Sequence, residues 1–393
     1  MQTYINKYKD IGLIFVIVLV ILLLRRPDAF INPQLYAEDG VVFFGDYVKS
    51  GIHSIIIPYA GYLHLVPRFV AALFGICQVN YLYIPACYNY TTFLITFWIA
   101  VELWKSAVYL DLKNKVLYAT WFLLIPTGSE IHMNMCNLIF LTALYLVNYL
   151  LIGYRHGNQS VKAFIILIIS LTGPFSILLS PMVLLIVFLE RKTMTFKKLL
   201  PYAMILAGGF VQFIYMKFVM PNVSRDIGGV AEDLHWIRVF TNAVSDVFFI
   251  RNRFVLAIFV SAGFFALLLL IYRKLVMARK YLLVIVPMVF FSAFIFGYWP
   301  HASRIHAFMS PRHYLIPYTC IGWLFILTLD KSIKLLQTLV YIIYFSFQLP
   351  YMRMRDADKH WSKQIGEYYQ GKTDSIEINP NPNWLIRLPH YKN

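Results

Sequence analysis

The sequence predicts an all-α, polytopic integral membrane protein with about eleven transmembrane helices. Of its 393 residues, 60% are hydrophobic and only 14% are charged, whereas soluble domains carry roughly 25% charged residues. The apolar residues fall into long runs separated by short charged loops, which is the pattern of repeated membrane spans. Backbone amides inside lipid must be paired within their own segment, so the spans are expected to be helices.

The first predicted span covers residues 11–24. Arg25 and Arg26 follow it, and it lacks the small-residue cleavage site of a secretory signal. Residues 162–189 are interrupted by a Thr-Gly-Pro sequence at 172–174, which predicts two shorter helices in place of one long span. The remaining predicted spans are residues 83–104, 116–129, 137–153, 199–219, 254–272, 281–298, 313–329 and 334–349.

The distribution of Lys and Arg predicts a cytoplasmic N-terminus, because the short loops that then face inward are the ones rich in these residues. Arg25, Arg26 and Arg68 go against this charge rule, but they lie in a long outer segment, where the rule is weaker. Residues 51–78 are apolar but broken by prolines, which predicts interfacial helices. The transmembrane domain covers residues 1–349, and the C-terminal tail, rich in Trp, Tyr and Ile, is expected to form a small outer cap. The predicted outer segments are residues 25–82, 220–253, 299–312 and 350–393, together with short outer loops near 130–136 and 171–176.

The net charge of +16 does not indicate a nucleic-acid partner, because the basic residues lie between the apolar runs and form no basic domain. We expect the chain to lie in a lipid bilayer. The four cysteines form no CxxC pair, and no metal-binding spacing, phosphate-binding loop or serine-hydrolase motif is present. We therefore expect no metal ligands and no cofactor from these motifs.

The acidic pair Glu38 and Asp39, in the first outer segment, is the most informative polar feature. Adjacent carboxylates near a membrane surface suit acid–base chemistry, with one ionised as a base and the other orienting it. Acidic residues also favour a helix N-terminus, because they complement the helix dipole. The residues alone leave both interpretations open.

Three further polar groups lie in predicted outer segments. Tyr62 and His64 are polar heads in an apolar stretch, which fits either substrate binding or an interfacial helix with aromatic anchors. Glu130 and Asn134 lie near a helix end, where polar groups at membrane depth are candidates for substrate binding or for helix capping. Arg312 precedes a span, so we expect it at the depth of a lipid phosphate. Its planar guanidinium suits binding either of a lipid-linked phosphate or of bulk lipid headgroups.

A first span followed by a long outer loop with an acidic pair resembles the GT-C superfamily of membrane glycosyltransferases. The longer pattern is similar to its bacterial branch that modifies cell-surface polysaccharide, including serotype-converting O-antigen glucosyltransferases. The segments that carry the resemblance are YAEDGVVF (36–43), GYLHLVPR (61–68), SEIHMNMCN (129–137), TGPFSILLSP (172–181), SPRHYLIP (310–317) and INPNPNW (378–384).

The resemblance implies a sugar donor carried on polyprenyl phosphate and a general base in the first outer loop. That role falls on Glu38 or Asp39, and the sequence slightly favours Asp39, because its short side chain next to Gly40 can be held more rigidly. Arg312 matches the arginine that contacts the lipid phosphate, with Arg304 or His306 as helpers. Because the two carboxylates are adjacent, the chain departs from the DxD pattern of metal-dependent members. The resemblance thus leaves open whether a metal ion takes part.

We therefore expect a multi-pass enzyme of the bacterial inner membrane that transfers a sugar, such as glucose, to a cell-surface glycan acceptor such as the O-antigen of lipopolysaccharide. The N-terminus would be cytoplasmic, and the C-terminus and the reaction extracytoplasmic. Two alternatives remain. A transporter or flippase of lipid-linked glycans predicts ionisable residues deep in several spans. A non-catalytic subunit of a cell-envelope complex has no need of the acidic pair.

Overall fold

Within the residues that can be described, the chain is mostly helical, as the sequence predicts. The computed structural model describes residues 2–125, 129–153, 158–219, 279–297, 311–328, 353–380 and 384–390. Outside these ranges lie the predicted spans 254–272 and 334–349, the outer loop 220–253, and two of the predicted phosphate-binding residues, Arg304 and His306.

The first half of the chain forms six α-helices joined by short turns. The predicted first span lies within the first helix, and the predicted interfacial segment 51–78 is helical at both ends. The helices are α1 (Gln2–Arg25), α2 (Asp28–Ile31), α3 (Gly45–Ser50), α4 (Leu65–Ile76), α5 (Ile84–Ser106) and α6 (Leu112–Leu124). A π-helical turn covers Asp39–Phe44, and 3-10 turns cover Gly51–Ile56 and Tyr81–Tyr83.

In the second half, the described helices are α7 (Leu138–Ile152), α8 (Gln159–Ser170), α9 (Phe175–Glu190), α10 (Phe196–Ile214), α11 (Leu282–Gly297), α12 (Leu315–Thr328) and α13 (Trp361–Tyr369). Shorter turns cover Ser129–Ile131, Tyr215–Val219 and Pro311–Tyr314. The tail folds as expected, but it adds two strands that the all-α prediction lacks. Strands β1 (Ser375–Glu377) and β2 (Leu385–Arg387) pair antiparallel, with Ile376 opposite Ile386.

The bounds of α6 differ from the predicted span 116–129, and both ends have a local cause. The Asp111 side chain accepts a hydrogen bond from the Asn114 amide at 3.0 Å, so the helix is capped and begins earlier. At the other end Ile125 is extended, which is the conformation favoured by a residue that precedes proline.

The predicted interruption at 172–174 is confirmed, since α8 ends at Ser170 and α9 begins at Phe175. Gly173 adopts a φ of +94°, which a residue with a Cβ rarely adopts. Its amide donates to the Leu63 carbonyl at 2.9 Å. The break therefore connects the α8–α9 pair to the chain segment that precedes α4.

Helix α7 lies at the centre of the bundle. Every residue from Leu138 to Leu151 is buried, as expected of a helix that is apolar on all sides. Its neighbours are α5, α8, α9, α11 and α12. The position of its N-terminal end therefore determines where the preceding residues lie.

The outer faces of several helices are apolar. Two helices of the described part, Tyr81–Ser106 and Phe196–Val219, are long and apolar enough to cross a membrane. The exposed large side chains on α9 and α10 include Leu184, Phe188, Leu189, Phe210 and Phe213. Contiguous exposed apolar surface of this kind is uncommon on soluble monomers.

The described parts of the predicted inner and outer loops contact different elements. The tail meets the end of α1, where the Met354 amide donates to the Arg25 carbonyl at 2.8 Å. Among the predicted inner loops, Arg279 pairs with Glu190 at the end of α9, and the Lys280 ammonium donates to the Leu327 carbonyl at 2.9 Å. These described loop residues thus make their contacts at different places in the bundle.

Helix α12 packs against α6 so closely that only glycine fits at position 322. A Cβ added to Gly322 would lie 1.7 Å from Nε1 of the buried Trp121. We predict that Gly322→Ala lowers the free energy of unfolding by about 1–3 kcal/mol through overpacking. The matched control is Gly366→Ala in α13, where a Cβ would meet nothing within 4 Å. Thermal unfolding of the purified variants tests this, and equal midpoints for both would contradict it.

Candidate functional site

Two buried arginines fix the chain where α1 ends. The Arg25 guanidinium donates to the carbonyls of Leu123 and Ile125, at 2.6 and 2.8 Å, and so pairs with the negative end of the α6 dipole. Arg26 donates to the His132 carbonyl at 3.1 Å and forms an ion pair with the buried Asp356 of the tail. The start of the first outer segment is thereby tied to α6, to the loop before α7 and to the tail.

The arginines that were exceptions to the charge rule are all buried and paired. Arg25, Arg26 and Arg68 expose at most 2% of their surface. Both terminal nitrogens of Arg68 lie 3.1 Å from an Asp46 carboxylate oxygen, which joins α4 to α3. These charges stabilise local structure and so carry no topological signal.

Asp39 is fully buried and reaches across to the loop before α7. Its carboxylate oxygens accept the backbone amides of Met135 and Cys136, each at 2.8 Å. Burial raises the pKa of Asp39 to about 7, although the two amide hydrogen bonds act in the opposite direction. The carboxylate therefore holds the start of the central helix against the first outer segment.

Glu38 has a different environment, because its side chain is only half-buried. The Tyr59 hydroxyl donates to its Oε1 at 3.2 Å. It makes no side-chain cap to the π-helical turn that follows it. The pair nevertheless lies at a helix N-terminus, as the dipole interpretation expects, since Glu38 is the N-cap residue and Asp39 begins the turn. The Glu38 carboxylate is in addition accessible and oriented by a tyrosine.

The backbone around the pair is held by the tail. Ala37 has a φ of +48°, and its amide donates to the Asn379 carbonyl at 2.5 Å. A Cβ on Gly40 would lie 2.5 Å from the Ile378 side chain, so the tail packs directly on the π-helical turn. The predicted outer cap is therefore part of the support for the acidic pair.

Tyr62 and His64 lie next to the acidic pair, in a tight turn before α4. The ring of His64 stacks on Tyr62 at 4.8 Å between centroids and lies 5.7 Å from Tyr59. Burial, with a smaller contribution from Arg68, lowers the pKa of His64 to about 3, so this imidazole is neutral. Neither ring nitrogen meets a hydrogen-bond partner of good geometry among the described residues.

Glu130 and Asn134 lie in the loop that Asp39 holds. Glu130 is half-buried, and its carbonyl accepts the Asn137 side-chain amide at 2.8 Å. Asn134 is buried, with its side-chain oxygen 3.4 Å from the Asn137 amide nitrogen. In the same loop, burial together with the arginines at the end of α1 lowers the pKa of the His132 imidazole.

Four of the predicted site residues act electrostatically on one buried thiol. Burial, with Glu38, Asp39 and Glu130, raises the pKa of Cys136, whereas Arg312 acts in the opposite direction. Arg312 is half-buried in the turn before α12. Tyr59 and Tyr62 join the same group. The first outer segment, the loop before α7 and the turn before α12 thus each contribute a charged residue that acts on the same thiol.

The described residues contain no group of three or more His, Cys, Asp or Glu side chains placed to hold a metal ion. Cys136 itself is a single buried thiol with carboxylates around it. The chemistry that this arrangement can perform with its own groups is proton transfer by a carboxylate and binding of an anion by arginine.

Three residues that support the candidate site are not among the predicted site residues. Tyr59 lies just before the segment 61–68 that resembles the GT-C superfamily. Asn379 lies within the resembling segment 378–384, for which the sequence predicts no contact. Arg26 was noted only as an exception to the charge rule. That exception was a usable signal, because an arginine outside the cytoplasmic loops must find a partner when it is buried.

Comparisons of the chain with protein-family models, with curated proteins and with solved structures found no match.

We predict that Asp39→Asn lowers the free energy of unfolding by about 1–3 kcal/mol, because the amide leaves one of the two backbone donors unsatisfied. Glu38→Gln is the matched control, since that half-buried side chain holds no buried amide. Chemical or thermal unfolding at about pH 4, where the contribution of Asp39 is largest, measures both. An Asp39→Asn variant as stable as Glu38→Gln would show that the two amide bonds do not stabilise the fold.

The raised pKa of Asp39 predicts that its contribution to the stability of the fold depends on pH. The folded-state pKa of Asp39, about 7, lies above its ordinary value of 3.8, so the folded protein holds this proton more tightly than the unfolded chain. Its contribution is fully present below about pH 4 and is lost as the pH rises toward 7. We expect the stability difference between parent and Asp39→Asn to shrink over this interval. A difference that grows with pH would reverse the assigned shift.

Proposed function

We propose that this chain is a polytopic membrane glycosyltransferase that transfers a sugar from a polyprenyl-phosphate carrier to a glycan. The reaction takes place on the extracytoplasmic face of a bacterial inner membrane, with a cell-surface polysaccharide such as O-antigen as the acceptor. The observation that carries the proposal is the half-buried Glu38 carboxylate, which accepts a hydrogen bond from the Tyr59 hydroxyl at 3.2 Å beside the buried Asp39. This acidic pair belongs to one of the segments that resemble the GT-C superfamily.

The membrane location is supported by the surface of the bundle. Helix Phe196–Val219 has only a third of its apolar window buried inside the protein, so most of that face is available to lipid. Arg279 and Lys280, in a loop predicted to be cytoplasmic, contact Glu190 and Leu327, which are not among the residues around the acidic pair. Both features fit a bundle of spans with the site at its outer end.

Glu38 is the residue that we assign as general base. It is half-buried, so an acceptor hydroxyl can approach it, and the Tyr59 hydroxyl fixes its orientation. Asp39, favoured slightly on sequence grounds, uses both carboxylate oxygens to hold backbone amides. We therefore assign Asp39 a positioning role, with Glu38 contacting the acceptor.

In the proposed reaction, Glu38 takes the proton of the acceptor hydroxyl as that oxygen attacks the anomeric carbon. The bond between the anomeric carbon and the phosphate oxygen breaks, and the electron pair leaves with the polyprenyl phosphate. Arg312 stabilises the departing phosphate through its planar fork. Tyr62 and Glu130, both half-buried, line the acceptor side, whereas the buried His64 and Asn134 support them from behind.

The acidic pair gives the central activity test. We predict that Glu38→Gln lowers the rate of sugar transfer roughly 10²–10⁴-fold, the range for loss of a general base. The matched control is Glu367→Gln in the tail helix, a half-buried glutamate like Glu38. Transfer is measured with the reconstituted protein, a polyprenyl-phosphate sugar and a glycan acceptor. Parent-like transfer by a normally folded Glu38→Gln would exclude Glu38 as the base.

Arg312 is tested by its conservative replacement. We predict that Arg312→Lys lowers transfer roughly tenfold or more at limiting donor, because lysine keeps the charge but loses the two-point contact with phosphate. Raising the donor concentration should recover part of the rate if the loss is in donor binding. An unchanged rate at limiting donor would remove Arg312 from the phosphate site.

The sidedness is tested by labelling single cysteines in a variant without the four native thiols. Gln370 in the tail and Lys192 between α9 and α10 are both exposed. We expect an impermeant maleimide to label Gln370→Cys in spheroplasts and Lys192→Cys only after the membrane is opened. The opposite result would invert the topology, and equal labelling of both would argue against a sealed bundle.

A further inference from the structure

A short segment of the tail crosses the end of α1. This segment, residues 353–359, is called the strap below. The Met354 amide donates to the Arg25 carbonyl at 2.8 Å, and the Asp356 amide donates to a carboxylate oxygen of Asp28 at 3.2 Å. The backbone of the strap is therefore held in place where α1 ends and the first outer segment begins.

The exposure of side chains alternates along the strap. Arg353 and Arg355 are exposed, whereas Met354 is half-buried and the side chain of Asp356 exposes only 2% of its surface. In an extended segment every second side chain lies on the same side, and two such residues are about 7 Å apart. Arg353 and Arg355 thus form a pair on the outward side of a fixed backbone.

The protein does not neutralise this arginine pair by direct contact. Within the described ranges of the chain, the side chains of Arg353 and Arg355 make no hydrogen bond, ion pair or ring contact. The neighbouring acidic side chains already have partners. They are Asp28, Asp356, Asp358 and Glu377. Both guanidinium groups therefore keep all of their donors for a ligand.

The strap lies next to apolar side chains that face away from the protein. Leu23 and Leu24 directly precede Arg25, to which the strap is bonded, and both are exposed, as is Val20 one turn earlier. In α2, Ile31 exposes 79% of its surface. In the proposed membrane bundle these side chains contact acyl chains, so the strap lies where acyl chains give way to headgroups.

The position of the pair in the sequence goes against the usual distribution of charge. Arg353 and Arg355 follow the predicted span 334–349 within six residues and belong to a predicted outer segment, where Lys and Arg close to a span are less common than on the cytoplasmic side. The other arginines that break this rule are buried and have partners inside the protein. Structural support of that kind does not account for an exposed pair.

We propose that Arg353 and Arg355 bind the phosphate group of an anionic phospholipid in the outer leaflet. A guanidinium can meet a phosphate with two parallel N–H donors, while the exposed side chains of α1 and α2 contact the acyl chains of the same lipid. A soluble phosphate would leave this apolar surface uncovered, so the ligand is a lipid. The proposal rests on the membrane location proposed above, and it does not depend on sugar transfer.

The test is native mass spectrometry of the full-length protein in a neutral detergent with dioleoylphosphatidylglycerol. Dioleoylphosphatidylcholine is the zwitterionic comparison, and glycerol 3-phosphate is the soluble one. The parent should bind phosphatidylglycerol saturably and several-fold more tightly than phosphatidylcholine, because the choline group opposes the arginines. Equal binding of the two lipids would overturn the proposal. Binding of glycerol 3-phosphate as tight as that of phosphatidylglycerol would contradict a lipid ligand.

Variants assign the binding to the strap. Arg353→Gln/Arg355→Gln should weaken phosphatidylglycerol binding roughly tenfold or more, because two positive charges are lost beside the phosphate. The matched control is Lys372→Gln/Arg387→Gln, which removes two exposed positive charges elsewhere in the tail and should bind as the parent does. Arg355→Gln alone, expected to weaken binding about threefold or more, serves if the double variant fails to fold.

Parent-like binding of phosphatidylglycerol by the folded strap variants, or equal weakening in Lys372→Gln/Arg387→Gln, would contradict the assignment. The binding measurement contains no sugar donor or acceptor, so its failure is distinct from a failure of the transfer assays. The maleimide labelling reports separately on the membrane location.

Discussion

The buried carboxylate of Asp39 is the interaction on which the candidate site depends. It joins the first outer segment to the amides that precede the central helix α7. Because α7 is buried on all sides, its N-terminal end is a fixed reference for the surrounding elements. Once Asp39 is bound there, its neighbour Glu38 must lie close to the loop that carries Glu130. The buried carboxylate of Asp39 therefore positions the accessible carboxylate of Glu38.

Three buried arginines, each with a polar or charged partner, lie around the contact between Asp39 and the loop before α7. Arg25 satisfies carbonyls at the end of α6, Arg26 pairs with Asp356, and Arg68 pairs with Asp46. A buried charge is tolerated only where its partner is fixed, so each pair ties two parts of the chain together. The tail takes part in these contacts through Asp356 and Asn379. Its role is thus structural support for the acidic pair, in addition to covering it.

Much of the fold could be predicted from the sequence because apolar runs and helix breakers act locally. The division of α8 from α9 at the Gly-Pro break is an example. The end of α6 was wrong by five residues, since the predicted span ran through Pro126, although the residue before a proline favours an extended conformation, as Ile125 shows. The two tail strands of three residues each are too short to produce a clear alternating pattern.

The sequence draws attention to the acidic pair, but it does not predict the different environments of the two carboxylates. The pair Glu38 and Asp39 stands out by chemistry alone. Which one is buried depends on Met135 and Cys136, almost a hundred residues away in the chain. Tyr59 and Asn379 contribute through contacts of this kind, and no local pattern encodes them.

The central claim is that Asp39 organises the site by holding two backbone amides, and hydrogen exchange measures this directly. In the parent protein, the peptide that covers 129–137 should exchange slowly at Met135 and Cys136. Asp39→Asn should speed exchange at these amides while the interior of α7 stays protected, and Glu38→Gln should leave both unchanged. Identical exchange at Met135 and Cys136 in the parent and in Asp39→Asn would contradict the account.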